Sequence, residues 1–241
     1  MNASFLYFTG EELRKLFRGG KLKMLLLLAF LIGIVFVFAG DRLGLNGNLT
    51  VVALELLLVT VLPLFMVSLG SDLMISEFKA RMIKNALKLP LSREIIFLGK
   101  MLAGWTAGAL IVMSLFVPLL IGSLVLTGIS DLSVVGASLA EVGGAIVFCG
   151  LLVVLANTVA LWTGSGGAGL VVSVVLWMAM GVIGLFEPQL NRFFVTDFAD
   201  WMRPLLYKGE AGPAITALLF MVVYYIIGTI LGLLAFQRKE I

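Results

Sequence analysis

The chain has 241 residues, of which 61% are apolar and 13% charged, against roughly 45–50% and about 25% in an ordinary soluble domain. With a mean hydropathy of +1.14, that much apolar surface cannot be hidden in a soluble domain of this length, and the composition reads as a polytopic membrane protein. The absence of histidine excludes histidine triads, metal sites and proton relays, the lone Cys149 excludes an intramolecular disulfide or a CxxC site, and the net charge of +3 reads as membrane sidedness rather than nucleic-acid binding.

Thr9-Gly-Glu-Glu12 has the pattern of a capping box, with Phe8 and Leu13 spaced as its hydrophobic staple. It predicts an amphipathic interfacial helix over 9–19, with Leu13, Leu16 and Phe17 on one side, ended by Gly19-Gly20. Met24–Gly40 then runs 17 residues without a charge, about 25 Å as a helix and enough to cross the bilayer core. Basic residues, an apolar run and Val37-Phe-Ala39 imitate a signal peptide, but the length of the run and the five spans after it predict a retained anchor, span one at 22–40. Span two, 49–71, is interrupted only by Glu55. This carboxylate is expected near the outer interface, paired with Arg42 or Arg192, or else lining a path.

Phe78, Met82, Asn85 and Leu89 recur at helical spacing, Glu77 stands four before Arg81, and Pro90 stops the pattern. They predict a basic amphipathic helix over 76–89, either an interfacial anchor or a docking element. Span three follows at 98–128, and Glu141 is expected at an interface. Val142–Phe186 is 45 residues without a charge, roughly two hydrocarbon cores long. Its cluster of breakers, Gly164-Ser-Gly-Gly-Ala-Gly169, folds it into spans at 142–163 and 169–186. Asn157 and Thr158 in span four line a polar path or join helices by hydrogen bonds. Over 187–210, Phe194, Phe198, Trp201 and Leu205 follow i, i+4, i+7, i+11 with Asp197 and Asp200 opposite. That spacing predicts an amphipathic helix at the outer leaflet, a hydrophobic gate or a plain interfacial belt. Span six occupies 213–237. Gly104-x-x-x-Gly108 and Gly228-x-x-x-Gly232 permit close helix contacts.

The expected fold is therefore all-α, six transmembrane helices in one domain spanning 1–241. With the N-terminus in the cytoplasm, thirteen basic residues lie inside and four (Arg42, Arg192, Arg203, Lys208) outside, so both termini are expected to be cytoplasmic. No G-x-x-x-x-G-K-[ST] loop is present, so any ATP-driven step needs a separate ATPase chain. No clustered carboxylates, nucleophile–base pair or metal-ligand set stands out for an intramembrane enzyme.

Ile83-Lys-Asn-Ala-Leu-Lys-Leu-Pro-Leu-Ser-Arg93, with Glu77 before it and Gly99-Lys100 after it, resembles the segment after span two in permeases of the ABC-2 exporter type. The Ile-Lys-Asn form is most similar to small permeases of bacitracin and lantibiotic self-protection in Gram-positive bacteria. Arg81-Met82 stand where that pattern has Gly-Thr. The resemblance implies a multi-pass permease subunit of a bacterial plasma membrane, paired with a second permease copy or paralogue through spans one and five. It implies a cytoplasmic ATPase partner that carries the ATP and Mg, with no cofactor in this chain, and a broken outer segment between spans five and six. ATPase coupling would fall to Glu77, Phe78, Arg81, Met82, Lys84, Asn85 and Lys88, and the motif turn to Pro90, Ser92, Arg93, Gly99 and Lys100. Phe194, Phe198 and Trp201 are the candidate outer gate, and Glu55 and Asn157 the candidate path-lining groups. The expected cargo is an amphipathic peptide, a lipid or a hydrophobic drug. The alternative is a membrane anchor or assembly protein that keeps the permease fold and moves no solute.

Overall fold

Long apolar runs leave the backbone one way to satisfy its hydrogen bonds without water, the α-helix. The computed structural model describes residues 3–42, 49–79, 92–127 and 132–238, and among these every regular element is helical. Among the described residues, six helices are long and apolar enough to cross a membrane. Helix α1 (Ala3–Arg18) leads into α2 (Gly20–Arg42, span one); α3 (Leu49–Val59), α4 (Val61–Asp72) and α5 (Ile75–Lys79) follow, and the stretch long and apolar enough to be span two is Val61–Phe78, later than the 49–71 expected from the sequence. Then come α6 (Arg93–Thr127, span three), α7 (Leu132–Thr163, span four) and α8 (Gly166–Phe186, span five). The 187–210 segment between spans five and six holds α9 (Pro188–Asn191), a 3₁₀ turn (Val195–Phe198) and α10 (Arg203–Lys208), before α11 (Ala211–Arg238, span six).

Several boundaries have identifiable causes. Pro63 has no N–H for the Val59 carbonyl, and the helix interrupts at Thr60 (φ −104°, ψ −68°), whose N–H and hydroxyl both donate to the Leu56 carbonyl. Spans four and five fold back more tightly than the sequence implies. Within the 164–169 cluster only Gly164 adopts a left-handed conformation (φ 71°), Ser165 is extended, and the helix resumes at Gly166 rather than 169. Two further expectations fail. Thr9 is no N-cap: α1 begins at Ala3, so Thr9 is interior and its hydroxyl donates to the Phe5 carbonyl at 2.9 Å. The outer segment is not one amphipathic helix. Phe194 is extended (φ −87°, ψ 144°), and Ala199–Met202 form turns, because tertiary contacts draw Phe198 and Trp201 inward separately.

Span four is the centre of the bundle. Of its most apolar stretch 61% is buried, against 22% for span one, 11% for span five and 17% for span six, and it packs on spans two, three, five and six. Glycine permits its closest approaches: a Cβ on Gly70 would lie 2.6 Å from the Val153 carbonyl oxygen, so spans two and four meet backbone to backbone. The two spaced glycine pairs also lie at helix contacts, Gly104 and Gly108 against Leu73, Val153 and Met66, and Gly228 and Gly232 against Val154, Phe97 and Thr158.

Because the Val153 carbonyl cannot move without disturbing span four, Gly70→Ala should destabilise the bundle by about 1–3 kcal/mol. Gly167→Ala, where a Cβ meets nothing within 4 Å, should leave thermal unfolding in detergent unchanged.

Candidate functional site

At the N-terminal side of the bundle, three distant stretches of sequence meet. Lys100, in the second turn of span three, is 1% exposed. Its Nζ donates to Glu12 of α1 at 2.5 Å and pairs with Glu77 of α5 at 2.7 Å. Lys15 closes the group, 2.5 Å from Glu12 and 3.8 Å from Glu77. Two lysines thus balance two carboxylates. Burial opposes ionisation of Glu12, but the charges and hydrogen bonds of Lys100 and Lys15 outweigh it and hold its carboxyl below the usual range. Burial likewise opposes the charge on Lys15, and its hydrogen bond to Glu12 with the surrounding carboxylates raises its value above the ordinary one.

The same contact explains the neighbouring glycine. Phe8, one turn before Glu12 and 5% exposed, packs against Gly99, with its ring carbon Cδ1 2.7 Å from where a Cβ would be. Gly99 admits the helix and Lys100 fixes it. An aromatic group continues the junction: Phe236 near the end of span six meets Phe78 edge-on at 5.8 Å and Phe97 at 6.0 Å. The Arg93 guanidinium donates to the Gln237 carbonyl at 3.4 Å, and Ser92 caps α6 by accepting the Ile95 N–H at 3.4 Å. Lys21 of span one donates to the Ser68 carbonyl at 2.7 Å and pairs with Asp72.

Of the residues singled out from sequence, Glu77, Phe78, Ser92, Arg93, Gly99 and Lys100 converge on this junction. Arg81, Met82, Lys84, Asn85, Lys88 and Pro90, with most of the 76–89 helix, lie outside the described residues. The Phe78 ring is half-buried against span six. Sequence reasoning missed Glu12 as a partner of Lys100. The available signal was a lysine at the head of a long uncharged run, which needs a carboxylate if it is to be buried.

On the opposite side, Glu55 pairs with Arg203, not with Arg42 or Arg192; the guanidinium reaches back from α10 to α3. Glu141 lies beside them within α7 and shares a small pocket with Glu55, Asp200 and Arg203. Phe198 is 1% exposed and stacked on Phe220 at 6.1 Å, Trp201 donates to the Gly144 carbonyl at 3.1 Å, and Tyr224 donates to the Phe193 carbonyl at 2.6 Å. Phe194 is half-buried beside them. Asn157 is fully buried and donates to Met74 Sδ at 3.8 Å, while the Thr158 hydroxyl donates to the Gly228 carbonyl at 2.8 Å, joining spans four and six. Among the described residues no group of histidine, cysteine, aspartate or glutamate could hold a metal ion. Compared with protein-family models and with curated protein sequences, the chain matches none.

Removing one side of a buried charge pair leaves the other uncompensated, so Lys100→Met should cost about 3–5 kcal/mol. Adding Glu12→Gln and Glu77→Gln should restore much of that loss. The Glu12 contribution, with its folded-state value lowered, is present above the ordinary carboxyl value of 4.5 and lost as pH falls through the lowered one. The Lys15 contribution, with its value raised, is present below 10.5 and lost as pH rises through the raised value. Thermal unfolding of wild type between pH 3 and 7 should show an acid loss below about 4.5 that the Glu12→Gln variant lacks.

Proposed function

We propose that the chain is a permease subunit of an ATP-driven exporter of the ABC-2 type, worked by a separate cytoplasmic ATPase. The observation that carries the reading is the junction at Lys100. Glutamate, glycine and lysine of the resembling motif, Glu77, Gly99 and Lys100, gather at one point with α1. A partner acting on α5 and the residues after it would then move α1, span three and, through Phe78 and Phe236, span six as one body. Without a phosphate-binding loop, the chain depends on its partner for ATP and Mg.

The cytoplasm lies, in this reading, on the side of the junction, and α1 lies in the inner leaflet with its basic residues toward water. A second permease packs against spans one and five, whose outward faces are apolar and little buried within the chain. Span six is equally uncovered, so lipid and partner must be told apart by experiment. Phe194, Phe198 and Trp201 would act as the outer gate, opening by release of the Phe198–Phe220 stack. An apolar path suits an amphipathic peptide, a lipid or a hydrophobic drug.

Affinity purification from native membranes should bring down a P-loop ATPase. Charge reversal at Lys84 and Lys88 should reduce that recovery about tenfold at low salt, since surface charges chiefly steer association. Cysteine pairs along spans one and five should crosslink between protomers. Absence of any ATPase from the purified material, with crosslinks confined to span six, would overturn the reading.

A further inference from the structure

Between α1, α4 and the start of α6 lies a cavity of about 510 Å³, within the range of roughly 300–1,000 Å³ typical of small-ligand sites. It opens at the level where α1 meets the ends of spans one and two, so it has a charged part and an apolar part. Leu22, Leu69, Leu73 and Ala103 form the apolar wall. The charged part holds three carboxylates, Glu12, Asp72 and Glu77, and four cations, Lys15, Arg18, Lys21 and Lys100. Glu12 and Lys100 are each more than nine-tenths buried.

The pairing of these charges selects the ligand. Glu12 and Glu77 are neutralised by Lys15 and Lys100, and Asp72 by Lys21. Arg18, at the end of α1, is exposed, and among the described residues no ion pair engages it. The cavity therefore carries one positive charge in excess, on the side chain best suited to a two-pronged grip on phosphate. An amine-bearing headgroup would need a carboxylate without a partner, and each of the three already has one. A free phosphate ion would leave the leucine wall unused.

We propose that this cavity binds the phosphodiester headgroup of an anionic glycerophospholipid such as phosphatidylglycerol, from the leaflet on the α1 side. Arg18 holds the phosphate, and the glycerol and upper acyl carbons lie along Leu16, the half-buried leucine of the lining. The inference requires a membrane-spanning chain and is independent of whether the chain is an exporter subunit.

The test uses the full chain in nanodiscs of phosphatidylcholine carrying either phosphatidylglycerol or phosphatidylethanolamine, with bound lipid counted by native mass spectrometry after release into mild detergent. Wild type should retain phosphatidylglycerol in preference to phosphatidylethanolamine. Arg18→Glu should lower that retention about tenfold, as expected for a charge-assisted contact replaced by repulsion. Lys23→Glu, an exposed cation outside the cavity lining, should leave it unchanged. Thermal unfolding in pure phosphatidylcholine should be the same for all three proteins, which separates lost binding from lost folding. Equal retention of the two lipids, equal losses in the Arg18 and Lys23 variants, or displacement of the lipid by millimolar inorganic phosphate would each overturn the proposal.

Discussion

A lysine with 1% of its side chain exposed is tolerated only where opposite charges meet it, because the effective penalty for burying an ion is several kcal/mol. Lys100 meets that requirement with carboxylates from two other elements, Glu12 of α1 and Glu77 of α5. The arrangement dictates much of what surrounds it. Helix α1 must come within touching distance of span three, which Gly99 allows. Phe8 then covers the glycine, and Lys15, one turn past Glu12, completes the charge balance. A helix that its composition would leave on a membrane surface is instead fixed to the bundle at one point. Buried ion pairs contribute less to stability than to register, and register is what this one supplies: a single position of α1 along span three satisfies both Phe8 and Glu12.

The two membrane-facing ends of the bundle are held by different physics. On the side of α1, charges are buried and paired, and the contacts are directional. On the other side, the Glu55–Arg203 pair is 43% and 36% exposed, a class of pair worth little in water. There the outer segment is seated by aromatic packing of Phe193 and Phe198 on Phe220, with the indole of Trp201 bonded to a span-four carbonyl. Stacked rings can slide or separate without leaving a charge stranded, whereas Lys100 cannot leave its partners without that cost. Motion of the 187–210 segment is therefore cheaper than motion at the junction, and between them span four stays covered by its neighbours on four sides.

The spans were legible because a charge-free run long enough to cross a bilayer has few alternatives, and because Gly164 marks the fold-back in the longest run. The capping-box reading of Thr9 and Glu12 failed for an instructive reason. Helix α1 already runs from Ala3, so Thr9 bonds back to Phe5 within it, and the carboxylate of Glu12 goes instead to Lys100, a partner 88 residues away that leaves no periodic trace in the sequence. The outer segment misled in the same way. Its helical spacing is real, but Phe198 and Trp201 find separate partners on spans six and four, and those contacts outweigh a helix too short to be stable alone. Glu55 was expected to pair with Arg42 or Arg192, yet its partner, Arg203, came from a stretch that the failed helix had pointed elsewhere. Glu77, Gly99 and Lys100 were legible as a pattern before their chemistry was. Only the fold shows that the glycine makes room for the helix whose glutamate pairs with the lysine.

The cavity and the junction share α1, and this ties ligand to fold. Lys15 and Glu12 belong to both, lining the cavity and pairing within the junction, while Arg18 completes the same helix. A phosphate at Arg18 binds only when α1 is seated, so its binding free energy adds to that of the seated state. By the same linkage, whatever draws Glu12 from Lys100 lowers the fraction of molecules competent to hold the proposed headgroup, and headgroup binding opposes that change. In the proposed site, leaflet composition would act on the position of α1, and through Lys100 and Glu77 on the start of span three and the end of span two. Lipid is in this sense part of the junction: the surplus charge that the carboxylates leave uncompensated is the one that the membrane itself can neutralise.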